Sequence, residues 1–219
     1  MRIVLLGLPG SGKGTQAEAL ARVWGSVHIS TGDIFRQAVS EGSDLGRKVE
    51  EILSRGDLVP DVLTSAIVRA RLHRADCRDG FVLDGFPRTV PQAIALDAML
   101  QEAGVMLDAV VQLDVAADVV IERLAGRRVC SVCGATYHLR TNPPPAEGRC
   151  ARCGGSVVAR PDDSEEAQQR RIAVYQAATA PLVTFYESQG RLVRVDAVGT
   201  VAVVSERVRR AVEREEARS

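Results

Sequence analysis

Short stretches rich in apolar residues punctuate the chain: "RIVLL" (2–6), "VHIS" (27–30), "FVLD" (81–84), "AVVQLDV" (109–115) and "LVRVD" (192–196). The first, an apolar run ended by glycines, predicts a strand buried in a parallel sheet, and the others read as strands too. Between them the apolar positions fall at helical spacing. Ala17, Leu20, Ala21 and Trp24 do so after Thr15, and further helices are predicted over 61–73, over 91–103 and through Arg123. A last amphipathic helix leads into the tail "EREEARS", which is expected to fray. Alternation of strand and helix predicts an α/β fold of three layers, a five-stranded parallel sheet between helices joined by right-handed crossovers.

Two segments break this rhythm. Residues 30–59 read as short helices separated by Gly32, Gly42, Gly46 and Gly56, while 126–163 hold four cysteines and "NPPP" but few large apolar residues. Both are read as insertions, which leaves 1–29, 60–125 and 164–219 as one core domain. At 219 residues the chain is long enough to bury such a core.

Charge narrows the partners. Twenty-eight basic residues balance 28 acidic ones, so there is no global footprint for nucleic acid. No run approaches the roughly 18 apolar residues of a membrane span. The opening "MRIVLLGLPG" carries too short an apolar run for a secretory signal, and a cytoplasmic protein is expected. Lys13 and Lys48 are the only lysines. One of the two sits in the glycine loop that follows the first strand, where a compact point charge on a flexible stem differs from the planar fork of arginine.

That loop, "GLPGSGKGT" (7–15), joins a predicted strand to a predicted helix with the spacing Gly7-x4-Gly12-Lys13. The spacing is that of a phosphate-cradling loop. Glycines allow backbone N–H groups to approach phosphate oxygens, and the helix that follows points its positive end at the same place. Gly10, Ser11, Gly12, Lys13, Gly14 and Thr15 are therefore the candidate residues for a nucleoside triphosphate, with Lys13 reaching its β and γ phosphates. The hydroxyl comes at Thr15, one place later than in the commonest version of the motif.

A second constellation is Cys130-x2-Cys133-x16-Cys150-x2-Cys153. Two such pairs at this separation predict a zinc-ribbon-like module with four thiolates around one structural zinc. Iron could occupy the same geometry. Metal binding would supply folding energy that a segment so poor in apolar residues lacks. Cys77 stands apart and reads as ordinary packing.

Taken in order, "GLPGSGKGTQ", "STGDIFR" (30–36), "LDGFPRTVPQA" (83–93), "GRR" (126–128) and "RPDDSEEAQQRRI" (160–172) resemble the nucleoside monophosphate kinases, adenylate kinases in particular, over essentially the whole chain. The closest likeness is to bacterial forms with a long metal-binding lid. The resemblance implies reversible transfer of the terminal phosphoryl group of MgATP to AMP, giving two ADP. It places AMP at Thr31, Arg36, Asp57, Leu58, Val59, Gly85, Phe86, Pro87, Arg88 and Gln92, whose amide can pair with an adenine edge. Thr89 stands where pyrimidine monophosphate kinases usually carry Asn, which favours AMP. Lys13, Arg88, Arg123, Arg127, Arg160 and Arg171 would surround the transferred group, and Arg160 and Arg171 would also reach AMP. Arg170 precedes Arg171, so the register there stays open. Asp84, at the carboxyl end of a strand, is placed to hold Mg²⁺ through water.

The same likeness makes 30–59 the acceptor-binding insertion and 126–163 a lid that closes over ATP. Arg127, Thr136 and Tyr137 then stand at the lid's contact positions. The expected form is a monomer whose ligands are ATP, AMP and ADP, with neither nucleic acid nor membrane as partner. A kinase for UMP or CMP, or one using GTP, is the nearest alternative. A non-catalytic zinc-ribbon nucleotide or nucleic-acid binder is a more distant one, since the lid offers only Tyr137 for stacking a base.

Overall fold

A computed structural model of the protein describes residues 1–145 and 147–217. The five predicted strands form one parallel sheet. They are β1 (Arg2–Leu6), β2 (Val27–Ser30), β3 (Phe81–Asp84), β4 (Ala109–Asp114) and, after the three strands described below, β8 (Leu192–Asp196), in the order β2-β3-β1-β4-β8. Alternate residues of β1 serve opposite faces. Ile3 and Leu5 pack with α1 (Lys13–Val23), α6 (Ala117–Ala125) and α9 (Val201–Glu216), while Val4 and Leu6 pack with α5 (Val90–Glu102) and α8 (Pro181–Glu187). This two-sided burial explains why β1 reads as a continuous apolar run.

Between β2 and β3 lie α2 (Thr31–Ser40), α3 (Asp44–Ser54) and α4 (Asp61–Leu72). Phe35, Val49 and Val59 give the first two helices and the start of the third a small core of their own. A separate antiparallel sheet, β6-β5-β7, is formed by β5 (Arg127–Cys130), β6 (Thr136–His138) and β7 (Val157–Val158). The chain returns through α7 (Glu165–Val174), a π-helical turn at Tyr175–Thr179 and α8. α9 continues to Glu216, into the tail "EREEARS", whose residues 218–219 lie outside the described residues. Charge pairs one turn apart extend it: Arg209 donates to Glu213 at 2.6 Å and to Glu206 at 2.8 Å.

Candidate active site

Leu6 delivers the chain to the carboxyl edge of the sheet, where the glycine loop turns it into α1. Gly10 has φ of 87°, a left-handed conformation, and a Cβ there would lie 2.8 Å from Leu124 Cγ. α1 starts without a side-chain cap and without an acidic residue in its first turn, so its N-terminal N–H groups face the loop ready for an anion. The Ser11 hydroxyl is buried there with no hydrogen-bond partner among the described residues. Gly14 and Thr15 continue the first turn. Lys13 bends back so that Nζ donates to the Gly7 and Leu8 carbonyls at 2.8 and 2.9 Å. Burial draws its pKa down to about 7; Arg88, Arg171 and Arg127 press the same way, and Asp84 opposes them.

Asp84 closes β3 beside this loop. Its Oδ2 lies 3.2 Å from the place a Cβ on Gly14 would occupy, and His28 Nε2 approaches it to 4.0 Å from the neighbouring strand. The sequence put no histidine in a motif, and only the pairing of β2 with β3 brings His28 here.

Four guanidinium groups converge on the same space. Arg127, opening β5, grips Asp163 with Nε and Nη2, the first at 2.6 Å. Arg160 grips Asp162 at 2.9 and 2.5 Å. Arg171 Nη1 joins both carboxylates, 3.1 Å from Asp162 and 3.2 Å from Asp163. Arg88 donates Nε to the Gly85 carbonyl at 2.9 Å. Burial is the largest influence on Arg88, Arg127 and Arg171 and lowers all three, Arg171 to about 9. Burial opposes ionisation of Asp162, yet the Arg160 fork holds its carboxyl well below the usual range. Of the two neighbouring arginines, Arg171 faces the cluster, whereas Arg170 reaches Asp57 at 2.6 Å. Arg123 stands behind the loop, its guanidinium held by the carbonyls of Ser11 at 3.1 Å and Ala197 at 2.9 Å.

Beside the cluster opens a cavity lined by Thr31, Arg36, Asp57, Leu58, Val59, Gly85, Arg88 and Gln92, together with Phe35, Leu53, Gly56, Thr64, Asp162 and Arg171. Ser30 caps α2 through the Asp33 N–H at 3.2 Å, and Arg36 pairs with Asp33 one turn on. Thr31 donates to the Gly85 carbonyl at 2.8 Å, a contact so close that a Cβ on Gly85 would sit 2.9 Å from the Thr31 hydroxyl. Phe86 and Pro87 bury their side chains, Phe86 in the core, and do not line the cavity.

In the small sheet the four cysteine Sγ atoms lie within 4.8 Å of one another. Cys130 and Cys153 are 3.5 Å apart, and Cys133 and Cys150 are 3.6 Å apart. A tetrahedron of thiolates about 2.3 Å from zinc has edges of about 3.8 Å, so the set fits that ion. Backbone N–H groups of Val132 and Cys133 point at Cys130, and that of Arg152 at Cys150. The Tyr137 hydroxyl donates to Cys150 at 3.3 Å and draws its thiol down to about 6. Tyr137 is thus engaged with the cysteines and buried among them. Thr136, next to it, is exposed.

A family model described as adenylate kinase matches residues 5–191. An adenylate kinase of Moorella thermoacetica is 49% identical over 215 residues, covering 98% of this chain and 99% of its own. One of Symbiobacterium thermophilum is 54% identical over 90% of this chain and 92% of its own, and one of a Geobacillus species 53% over 88% and 89%. The chain belongs to the adenylate kinase family. Adenylate kinases transfer the terminal phosphoryl group of ATP to AMP, giving two ADP, and use Mg²⁺ with ATP. The fold brings Lys13, Arg88, Arg127, Arg160 and Arg171 together and leaves Arg123 behind the loop; sequence reasoning missed Asp162 and Asp163, the carboxylates paired with Arg127, Arg160 and Arg171. The signal was present, since "DD" directly follows Arg160. It also missed Asp61, whose partners become clear only in the fold.

Proposed function

We propose that the chain is an ATP:AMP phosphotransferase working at the junction of glycine loop, arginine cluster and cavity. One observation carries this reading: Lys13, Arg88, Arg127, Arg160 and Arg171 come from separate elements to face three carboxylates, Asp84, Asp162 and Asp163. An excess of buried cations at a helix N-terminus calls for phosphates.

In this reading residues 10–15 hold the ATP phosphates and Lys13 turns from its carbonyls to the β and γ oxygens. AMP occupies the cavity, its phosphate against Arg36 and Arg88 and its base against Gln92. Its phosphate oxygen forms a bond to the γ phosphorus as the bond to the β–γ bridging oxygen breaks. Arg88, Arg127, Arg160 and Arg171 spread positive charge over the transferred oxygens, which is how proteins accelerate this reaction. Arg123 acts from behind by fixing the loop carbonyl of Ser11. Asp84 offers oxygen ligands suited to water-coordinated Mg²⁺, which would neutralise phosphate charge.

We assign residues 1–29, 60–125 and 164–219 to the core, 30–59 to acceptor binding and 126–163 to a zinc-stiffened lid. Arg152 of the lid meets Glu18 of α1 at 2.5 Å, which supports a lid that folds down over the loop and excludes water. Among the described residues no helix is long and apolar enough to cross a membrane, and we propose a cytoplasmic monomer.

The test is phosphoryl transfer from MgATP to AMP, CMP, UMP and GMP in parallel, with metal content measured on the same protein. Turnover confined to AMP, with one zinc per chain, is the expected result. Preference for a pyrimidine nucleotide would refute the acceptor assignment, and iron or no metal would refute the zinc assignment.

A further inference from the structure

Gln92 is 2% exposed and carries an amide whose two ends are chemically opposite. Its Oε1 accepts from the backbone N–H of Arg88 at 2.8 Å, and its Nε2 donates to Asp61 Oδ1 at 2.7 Å. A backbone N–H can only donate, and an ionised carboxylate can only accept. The orientation of this amide therefore follows from its partners. Turned over, it would set a donor against the Arg88 N–H and an acceptor against a carboxylate.

Asp61 is itself fixed. It lies in the first turn of α4, and its Oδ2 accepts from the Thr89 hydroxyl at 2.8 Å. Thr89 caps α5, its hydroxyl accepting from the Gln92 N–H at 3.3 Å. Asp61 does not line the cavity; Gln92 does. With one position on each end engaged, the amide has one acceptor position on Oε1 and one hydrogen on Nε2 left for the cavity.

We infer that Asp61 is a specificity-determining positioning residue: through Thr89 and Gln92 it locks the amide in the orientation that reads adenine and refuses guanine and hypoxanthine. The Watson–Crick edge of adenine offers a donor at N6 and an acceptor at N1, which match the two free positions. Guanine and hypoxanthine offer an acceptor at O6 and a donor at N1, the reversed pair. A free amide would turn over and accept either. A locked one leaves the wrong base with two mismatched buried groups, the arrangement that gives polar sites their large discrimination. The inference rests on the AMP reading above and adds the group that enforces it.

IMP is the probe, because it differs from AMP only at that edge. Values of kcat/KM for AMP and IMP, with MgATP as donor, are measured for the unaltered protein, Asp61→Ala and Asp61→Asn. The ratio between acceptors does not depend on how much of a preparation is folded. The unaltered protein should favour AMP strongly, and D61A should lower the AMP-to-IMP ratio by about tenfold or more, the scale of one lost orienting hydrogen bond. D61N keeps an oxygen for Nε2 and an N–H for Thr89, and should retain most of the selectivity. If D61A yields no soluble protein, Asp61→Ser serves in its place. Strong AMP preference that survives truncation unchanged would overturn the role of Asp61 alone. Equal use of AMP and IMP by the unaltered protein would overturn the adenine assignment of Gln92 and the inference with it.

Discussion

Asp163 is the most demanding single test of the arginine cluster. Its side chain is 6% exposed, takes two hydrogen bonds from Arg127 and shares Arg171 with Asp162. In Asp163→Ala the Arg127 fork loses its partner while its side chain remains 15% exposed. Breaking a buried pair by removing one member costs about 3–5 kcal/mol, most of it from the charge left behind. For a chain of 219 residues, 1 kcal/mol moves Tm by about 2 °C, so a fall of about 6–10 °C is expected. Asp163→Asn keeps an acceptor without the charge and should lose about half as much. The assay is thermal unfolding of each variant without ligand, and again with AMP plus a non-transferable ATP analogue. Phosphates should take over the stranded guanidinium, so the gap between variant and parent must shrink when both nucleotides are present. A loss under about 2 °C, or a gap that stays constant with nucleotide, would refute the idea that these carboxylates hold the arginines in place of phosphate.

Further outcomes follow from Lys13 and from the cysteine cluster. Lys13, with its pKa drawn by burial from 10.5 to about 7, should take up a proton when ATP binds at pH 8, because phosphate favours the ammonium. Titration calorimetry in two buffers of different ionisation enthalpy measures this, and no uptake at pH 8 would contradict it. The sign for stability runs the other way from that of a salt-bridged lysine. The folded, ligand-free protein holds fewer protons than the unfolded chain between about pH 7 and 10.5, so this group's contribution to stability improves as pH rises through that window. Cys150→Ser should reduce bound zinc and activity together while the parallel sheet stays folded, since the small sheet's buried cluster consists of Cys130, Ala135, Tyr137 and Cys150. Metal analysis with circular dichroism and a turnover assay checks it; full activity without metal would count against a zinc-stiffened lid.

The sheet was legible because burial on both faces writes itself as a run: Ile3 to Leu6 are all at most 2% exposed, and the sequence shows them as unbroken apolar residues. The glycine loop and the cysteine pairs were legible because their chemistry depends on spacing along the chain. The segment 175–187 gave no element in advance. Leu182 and Tyr186 are spaced one turn apart and fully buried, but α8 is short and opens on Pro181 after a π-helical turn that no periodicity announces. From that segment Thr179 reaches the Arg88 carbonyl at 2.8 Å, a contact across 91 residues that only the fold can make. Asp61 and His28 were hidden for the same reason, since their partners lie on other elements.

The two missed aspartates also offset the repulsion within the cluster. Lys13, Arg88, Arg127, Arg160 and Arg171 repel one another, and each suffers from burial in its charged form. Left uncompensated they would push the lid and α7 away from the core. Asp162 and Asp163 supply carboxylate oxygens where the reading above places phosphate oxygens, so the arginines are held near working geometry before substrate arrives. Their charge is smaller than that of the polyphosphate, and their attachment to the short 3₁₀ turn Pro161–Asp163 fixes how far they can follow the arginines. If phosphates bind as proposed, they outcompete these carboxylates at the guanidinium groups, whose repulsion the carboxylates otherwise offset.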